Sequence, residues 1–214
     1  MALYNLAFVF EQSSAKNNLE QALDWYRQAA EKDVLEAKLR LASIYREGKI
    51  RPSDIQETIK WTTKAAESGH IASQYNLGLL LSGQVDDVEG IETDAEKAVT
   101  WLKKAADQGH EKALMLYATL LVRGDQIAAD PAKAAQLFTQ AAEKGNLVAQ
   151  FNLGVLHELG QGVSLDLQEA AKWYDHAANL GHARAQFHLA LLHDQGMGIP
   201  QDRRSAFEWY QRAA

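Results

Sequence analysis

The chain has 214 residues, 47% of them hydrophobic, a formal net charge of -6 at pH 7 and no cysteine. The negative charge argues against nucleic acid or an anionic membrane as a partner, because both require a basic surface, and the lack of cysteine excludes disulfides and thiolate chemistry. No apolar run approaches the roughly 18 residues that span a bilayer, and the first residues of the given chain lack the charged start and cleavage pattern of a signal peptide. We therefore expect a soluble chain. The sequence does not determine its compartment, which is the cytoplasm or, if a leader has been removed, the periplasm or the outside of the cell.

A tryptophan column recurs along the chain in steps of 36, 40, 36, 36 and 36 residues, and an Ala-Ala pair always follows it by four and five positions. A fixed period of about 20–50 residues indicates stacked supersecondary units. The column reads Trp25, Trp61, Trp101, Leu137, Trp173 and Trp209. The sequence predicts one repeat array over 1–214, with copies at about 2–36, 37–72, 73–112, 113–148, 149–184 and 185–214.

Each copy divides into two predicted helices. Helix A carries a small landmark residue, such as Ala149, and a large apolar residue four positions later on the same face, and it ends at a glycine such as Gly160. Helix B begins after an aspartate N-cap seven residues before the tryptophan column, with Asn18 as the substitute in the first copy. The predicted helices span 2–12, 19–31, 35–47, 55–67, 72–82, 95–107, 112–123, 131–143, 148–159, 167–179, 184–195 and 203–214.

The last two copies carry the most specific motifs, Gly160-Gln-Gly162-Val with Trp173-Tyr174, and Gly196-Met-Gly198-Ile with Trp209-Tyr210. On these motifs the chain resembles the Sel-one-like repeat (SLR) family, a relative of the tetratricopeptide repeat with a longer loop between its helices. The resemblance implies an all-α fold: a right-handed α/α superhelix (solenoid) of six helix-turn-helix repeats with the A helices on its concave side. It also implies a scaffold for protein assembly, in bacterial signalling, envelope or host-interaction settings or in endoplasmic-reticulum complexes.

The repeated aromatic residues of helix B could form a stacking surface for bases or sugars. Their strict period favours another interpretation, in which each ring is a wedge between successive repeats. On that basis we expect Trp173→Ala to cost roughly 3–5 kcal/mol of stability.

The histidines do not form a predicted metal site. His70, His110 and His182 occupy one repeated turn position, about a repeat apart, whereas His157 and His193 replace a packing aromatic of helix A. No pair has the i, i+4 spacing of a helical metal site. Neither a phosphate-binding loop nor a Ser/His/Asp set stands out, so we expect no cofactor, no metal and no catalysis. One alternative stays open, a groove-based enzyme or small-ligand binder related to cell-wall peptide or β-lactams, because some proteins of the resembled family have been associated with β-lactam binding or hydrolysis.

The candidate binding residues lie on helix A, at positions that face away from the buried stripe and differ between copies. We expect a peptide or partner helix to bind there, anchored by Phe151 and Phe187 on an apolar floor. The asparagine column that includes Asn152 could hold a peptide backbone or bond to neighbouring helices. The predicted partner-binding residues of this concave face are Tyr75, Asn76, Leu79, Met115, Thr119, Arg123, Phe151, Asn152, Val155, Glu158, Phe187, His188 and Leu191.

The ends of the chain suggest one further association. The sequence begins on the landmark Ala2 and stops at Ala214, inside the last predicted helix, so we expect an array excised from a longer protein. Without polar capping repeats, its apolar end faces could pair head to tail.

Overall fold

The computed structural model describes residues 1–12, 16–48, 54–84, 92–124 and 127–214, and within these ranges the regular secondary structure is entirely α-helical. No helix in these ranges is both long and apolar enough to cross a membrane. The helices are α1 Ala2–Glu11, α2 Lys16–Glu31, α3 Leu35–Glu47, α4 Ile55–Glu67, α5 Ile71–Leu81, α6 Ala95–Asp107, α7 Glu111–Arg123, α8 Pro131–Glu143, α9 Leu147–Leu159, α10 Leu167–Asn179, α11 Ala183–Gln195 and α12 Arg203–Ala213. The all-α prediction is confirmed.

Aspartate N-caps start the B helices from α4 onward. Asp166 Oδ1 accepts hydrogen bonds from the amides of Gln168 and Glu169, both at 3.0 Å, which satisfies amides that a helix start leaves unpaired. The Asp166 amide donates to the carbonyl of His157 at 3.0 Å and so joins the two helices of its hairpin. The prediction for Asn18 was wrong, because α2 begins at Lys16 and Asn18 lies inside the helix. The confirmed caps are Asp54, Asp94, Asp130, Asp166 and Asp202.

Two glycines in the turn after α9 have different roles. Gly160 ends the helix in the left-handed conformation, with φ 65°, which a residue without Cβ adopts at no steric cost. Gly162 has φ 72°, and a Cβ there would lie 2.2 Å from the carbonyl carbon of Pro131. The turn of one repeat therefore packs directly on the first residue of helix B in the preceding repeat.

The helices form two compact units, Met1–Ala113 and Leu114–Ala214. From α1 to α6 in the first unit, and from α8 to α12 in the second, each helix packs against the next one in sequence. Within the second unit, the buried Gln150 and Gln186 follow the landmark alanines and donate to the carbonyls of Ala142 and Ala178, at 3.3 and 3.0 Å. Each bond crosses from one hairpin to the preceding one, so the buried amides help to fix how the hairpins stack.

The tryptophan column is not the most deeply buried column of helix B. Trp173 is only half-buried, whereas the next residue, Tyr174, is 0% exposed. Trp25, Trp101 and Trp209 are also only partly buried, and Trp61 and Leu137 are the buried members. The column one position later is thus the more deeply buried of the two. That column contains Tyr26, Thr62, Leu102, Phe138 and Tyr174, all buried, and the half-buried Tyr210. Trp25, Trp101 and Trp209 pack against the core from its edge, and the wedge role of Trp173 stays a prediction.

Candidate partner-binding surface

Successive A helices in the second unit place aromatic and polar side chains side by side. On α9 and α11 the landmark alanines and the leucines four and seven positions later are buried, which turns the residues at the second and third positions outward. On α9 these are Phe151 and Asn152, both half-buried. On α11 they are Phe187, whose side chain is 49% exposed, and the half-buried His188.

Two adjacent depressions, open to solvent, lie between these residues. The first has a volume of about 300 Å³ and is lined by Val148, Phe151, Asn152, His182, Ala183 and Arg184. The second has a volume of about 510 Å³ and is lined by Phe151, Ala183, Arg184, Phe187, His188 and Ala213. Both depressions and their lining residues are called the Phe151–Phe187 surface below. Phe151 and Arg184 line both depressions, so the surface is continuous.

The Phe151 ring is held by a stacked histidine from the next hairpin. Its centroid lies 4.7 Å from that of His182, with 22° between the ring planes. His182 is itself the N-cap of α11, because its Nδ1 accepts from the amide of Ala185 at 3.2 Å. Burial and the neighbouring Arg184 both lower the pKa of His182, and the neutral imidazole is the form that can accept this bond.

The same arrangement recurs within the first unit. The rings of Tyr75 and His110 stack with centroids 4.6 Å apart, and His110 Nδ1 accepts from the amide of Ala113 at 3.1 Å. His70 caps α5 in the same way. The repeated turn position identified in the sequence is therefore a histidine N-cap.

Glu158 connects two hairpins behind the Phe151–Phe187 surface. Its Oε2 accepts from the hydroxyl of Tyr174 and lies 3.1 Å from Nδ1 of His188. Burial, then the hydrogen bond to Glu158, raises the pKa of Tyr174 well above its usual value. Glu158 was predicted to contact a partner, but its carboxylate is already held by its own chain.

An equivalent cluster lies in the first unit. The Tyr26 hydroxyl donates to Glu11 Oε2 at 2.7 Å, and Arg40 Nε donates to the same oxygen at 2.9 Å. Glu11 and Glu158 share one repeat position, as do Tyr26 and Tyr174, and Arg40 and His188. Sequence reasoning missed this cluster, although its signal is present: where helix A carries glutamate at this position, tyrosine and a basic residue stand in the matching columns.

The structure brings together four of the predicted contact residues, Phe151, Asn152, Phe187 and His188, on one surface. Val155 lies behind them, where it packs against the core cluster that includes Tyr174.

The remaining predicted residues lie elsewhere or one turn further along. Leu191 is half-buried, one turn after Phe187 on α11. Met115 and Thr119 are half-buried on α7, where the Thr119 hydroxyl donates to the Met115 carbonyl at 2.8 Å, and Arg123 is exposed at the end of the same helix. In the first unit, Asn76 is exposed, and Tyr75 and Leu79 are half-buried. Whether any of these residues contacts a partner stays a prediction.

Within the described ranges, no group of three or more His, Asp or Glu side chains could hold a metal ion. The pattern Ser-x-x-Lys of serine enzymes that react with β-lactams occurs at Ser13 and Lys16, and Ser13 lies outside the described residues. The motifs Ser-Asp-Asn and Lys-Thr-Gly, which accompany it in those enzymes, are missing from the sequence.

Helical hairpins that stack on their neighbours in sequence define a helical repeat protein. The family model of the Sel1 repeat matches residues 1–34, 35–70, 71–110, 111–146, 147–182 and 183–214. The chain therefore belongs to the Sel1 repeat family, and the resemblance given above is confirmed. Proteins of this family are generally non-catalytic scaffolds for protein–protein interaction.

Solved structures agree with this family. A Sel1 repeat protein from Oxalobacter formigenes superposes with a TM-score of 0.87 at 28% identity, over 99% of this chain and 60% of that protein. The protein c5321, a protective antigen of uropathogenic Escherichia coli with an SLR fold, gives a TM-score of 0.75 at 28% identity, over 99% of this chain and 45% of that protein. The chain thus spans about half the length of these relatives. A comparison with curated protein sequences gave no match.

Proposed function

We propose that this chain is a non-catalytic adaptor that binds a peptide or a helix of a partner protein on the Phe151–Phe187 surface. The observation that carries the proposal is the exposed Phe187 ring in the wall of the second open depression, which adjoins the first. An aromatic ring left in water next to an apolar depression costs free energy that a partner side chain would recover.

The form of the surface supports a peptide more than a small molecule. Pockets for small molecules usually enclose most of their ligand, whereas both depressions are open to solvent. Their walls come from consecutive A helices, so an elongated partner segment could contact α9 and α11 together. Ring stacking on His182 and the packing of Phe151 against Tyr174, with centroids 5.8 Å apart, keep part of the surface pre-formed and reduce the ordering cost of binding.

Phe187→Ala tests the proposal with little risk to the fold, because half of the ring is already exposed. Phe207→Ala is the matched control, since Phe207 is 62% exposed on helix B of the same hairpin. We expect the Phe187 variant to lose partner proteins that co-purify with the wild-type chain, and the Phe207 variant to retain them. Equal recovery by both variants, with circular dichroism unchanged, would contradict the proposal.

The same preparation tests the enzyme or small-ligand alternative. Titration with peptidoglycan fragments and with a penicillin should give no saturable binding if the surface serves a protein partner. Saturable binding of either compound that Phe187→Ala abolishes, together with no protein partner, would reverse the ranking of the two functions.

A further inference from the structure

We propose that the Phe151–Phe187 surface recognises an extended peptide carrying a carboxylate side chain next to an apolar one, with Arg184 binding the carboxylate. This inference rests on the proposed function and adds the chemistry of the partner. The residues that it uses lie on the A helices of the fifth and sixth repeats of this chain.

Arg184 is available for a ligand. Its side chain is exposed where both depressions meet, and within the described residues it makes no ion pair. Some other basic side chains are already held in ion pairs: Arg40 with Glu11, Lys60 with Glu57, and Lys172 with Glu169. A planar guanidinium can bind a carboxylate through two parallel hydrogen bonds, which makes it more selective for that group than a lysine would be.

The surroundings of Arg184 are complementary to a negative charge. None of the residues that line the two depressions in the described structure is acidic, although the whole chain carries a net charge of -6. Glu158, the carboxylate behind this surface, is bound by Tyr174 and His188. The surface is thus a local basic site on an acidic protein, and we expect it to attract a carboxylate over an amine.

Two further features specify an extended peptide. The Asn152 side chain lines the first depression and has no hydrogen-bond partner within the described ranges, so its amide can both donate to and accept from a peptide backbone. The Phe151 and Phe187 rings line the second depression and offer apolar contact to the side chain next to the carboxylate. Charge, backbone and apolar contacts then lie side by side.

Selection of a random peptide library on the wild-type chain tests this inference. We expect the selected peptides to share an aspartate or glutamate next to an apolar or aromatic residue. Enrichment without acidic residues, enrichment of phosphopeptides over acidic peptides from a phosphorylated library, or no enrichment would overturn the inference.

The affinity of the best selected peptide, measured by fluorescence polarisation for wild type and variants, then tests whether Arg184 contacts the peptide carboxylate. Arg184→Gln should weaken binding at least tenfold, and Arg184→Lys should weaken it less. Changing the peptide's acidic side chain to its amide should lower the affinity of the wild-type chain about as much as Arg184→Gln does. The same peptide change should lower the affinity of the Arg184→Gln variant only slightly. Arg212→Gln is the control that removes the same charge elsewhere, and it should leave the affinity unchanged. Arg212 is exposed on α12, where its guanidinium lies 4.6 Å from the centroid of the Trp209 ring.

The outcomes separate this inference from the proposed function. If Phe187→Ala abolishes peptide binding while Arg184→Gln has no effect, the surface is a protein-binding site that does not use Arg184, and only the carboxylate inference fails. If neither substitution changes the affinity, the peptide binds elsewhere, and both proposals are contradicted.

Discussion

His188 Nδ1 lies 3.1 Å from Glu158 Oε2, across the junction between the fifth and sixth hairpins. The equivalent pair in the first two hairpins is Arg40 and Glu11, with Arg40 Nε 2.9 Å from Oε2. In both junctions the carboxylate also accepts a hydrogen bond from a buried tyrosine of helix B. One glutamate therefore ties helix A to helix B of its own hairpin and to helix A of the next.

Removing the Tyr174 hydroxyl should weaken this junction. Tyr174→Phe leaves the packing intact but deprives a half-buried carboxylate of a donor, so we expect a loss of about 1–2 kcal/mol in the free energy of unfolding. Urea denaturation followed by circular dichroism measures it. Tyr210→Phe is the matched control: this half-buried tyrosine shows no hydroxyl hydrogen bond within the described residues, and its substitution should change stability by less than about 0.5 kcal/mol. Equal effects would show that the hydroxyl of Tyr174 is not stabilising.

Alanine substitutions of the two neighbouring aromatic residues of α10 should differ in how much stability they remove. Tyr174 is 0% exposed, so Tyr174→Ala should cost about 3–5 kcal/mol. Trp173 is only half-buried, and Trp173→Ala should cost at least about 1 kcal/mol less than that. Thermal and urea unfolding of the two variants compares them directly. A larger loss for the tryptophan would make it, and not Tyr174, the main wedge between repeats.

His182 should make stability depend on pH. The pKa of His182 is lowered in the folded chain, so the unfolded chain binds more protons as the pH falls below about 6.5. The stability contributed by this cap is therefore complete above that pH and declines as the pH falls towards the lowered pKa of the folded state. Denaturation series between pH 8 and pH 5 should show a steeper loss for the wild type than for His182→Asn.

Asparagine is the appropriate replacement because the chain already uses it at the equivalent position. Asn146 Oδ1 accepts from the amide of Ala149 at 2.8 Å and does not titrate. In addition, Arg184→Gln should raise the pKa of His182, because it removes the neighbouring positive charge, and an NMR titration of the imidazole would show the direction. Parallel pH profiles for wild type and His182→Asn would exclude a titrating cap.

Alanine substitutions at two glycines separate the stability lost by a clash between repeats from the stability lost by backbone strain alone. Gly162 and Gly181 both have positive φ, 72° and 89°, so alanine is strained at either position by about 1–2 kcal/mol. A Cβ at Gly181 would meet no atom within 4 Å, whereas one at Gly162 would lie 2.2 Å from the Pro131 carbonyl carbon. Gly162→Ala should therefore cost about 1–3 kcal/mol more than Gly181→Ala. Chemical denaturation that ranks the two variants equally would show that the turn can move away from Pro131.

Much of the fold could be predicted because it depends on local patterns. The spacing of small and large apolar residues predicted the helices, and the aspartates predicted most of the starts of helix B. These features rest on contacts within about one helical turn, which a sequence displays directly. The start of α2 was missed because Asn18 occupies the cap column while the helix begins two residues earlier.

The periodicity of the sequence could not show which residue of the aromatic pair on helix B is the more deeply buried. Trp173 and Tyr174 are adjacent and both aromatic, and a hydrophobic pattern does not decide which ring faces the core. A signal did exist, since a basic residue often follows the tryptophan by three positions, and its charge marks the solvent side. Lys104 Nζ lies 4.2 Å from the centroid of the Trp101 ring, and Arg212 occupies the same position over Trp209.

The Phe151–Phe187 surface was predicted only in part, because its form depends on contacts between repeats. The sequence placed Phe151 and Phe187 on the outward face of helix A, and the structure puts them beside the same depression. It did not show that His182 stacks on Phe151 or that Glu158 is already bound. The Tyr174–Glu158 and His188–Glu158 contacts join residues 16 and 30 positions apart, whose distances are set by how the helices and hairpins pack.

Site-specific photo-cross-linking tests most directly the claim that the Phe151–Phe187 surface binds a protein partner. A photoreactive phenylalanine analogue would replace Phe187 in one preparation and Phe207 in another, and both would be irradiated with the partner fraction. We expect a discrete adduct from position 187 that excess unlabelled wild-type chain suppresses, and none from position 207. Adducts of equal yield at the two positions, or only at 207, would contradict the claim.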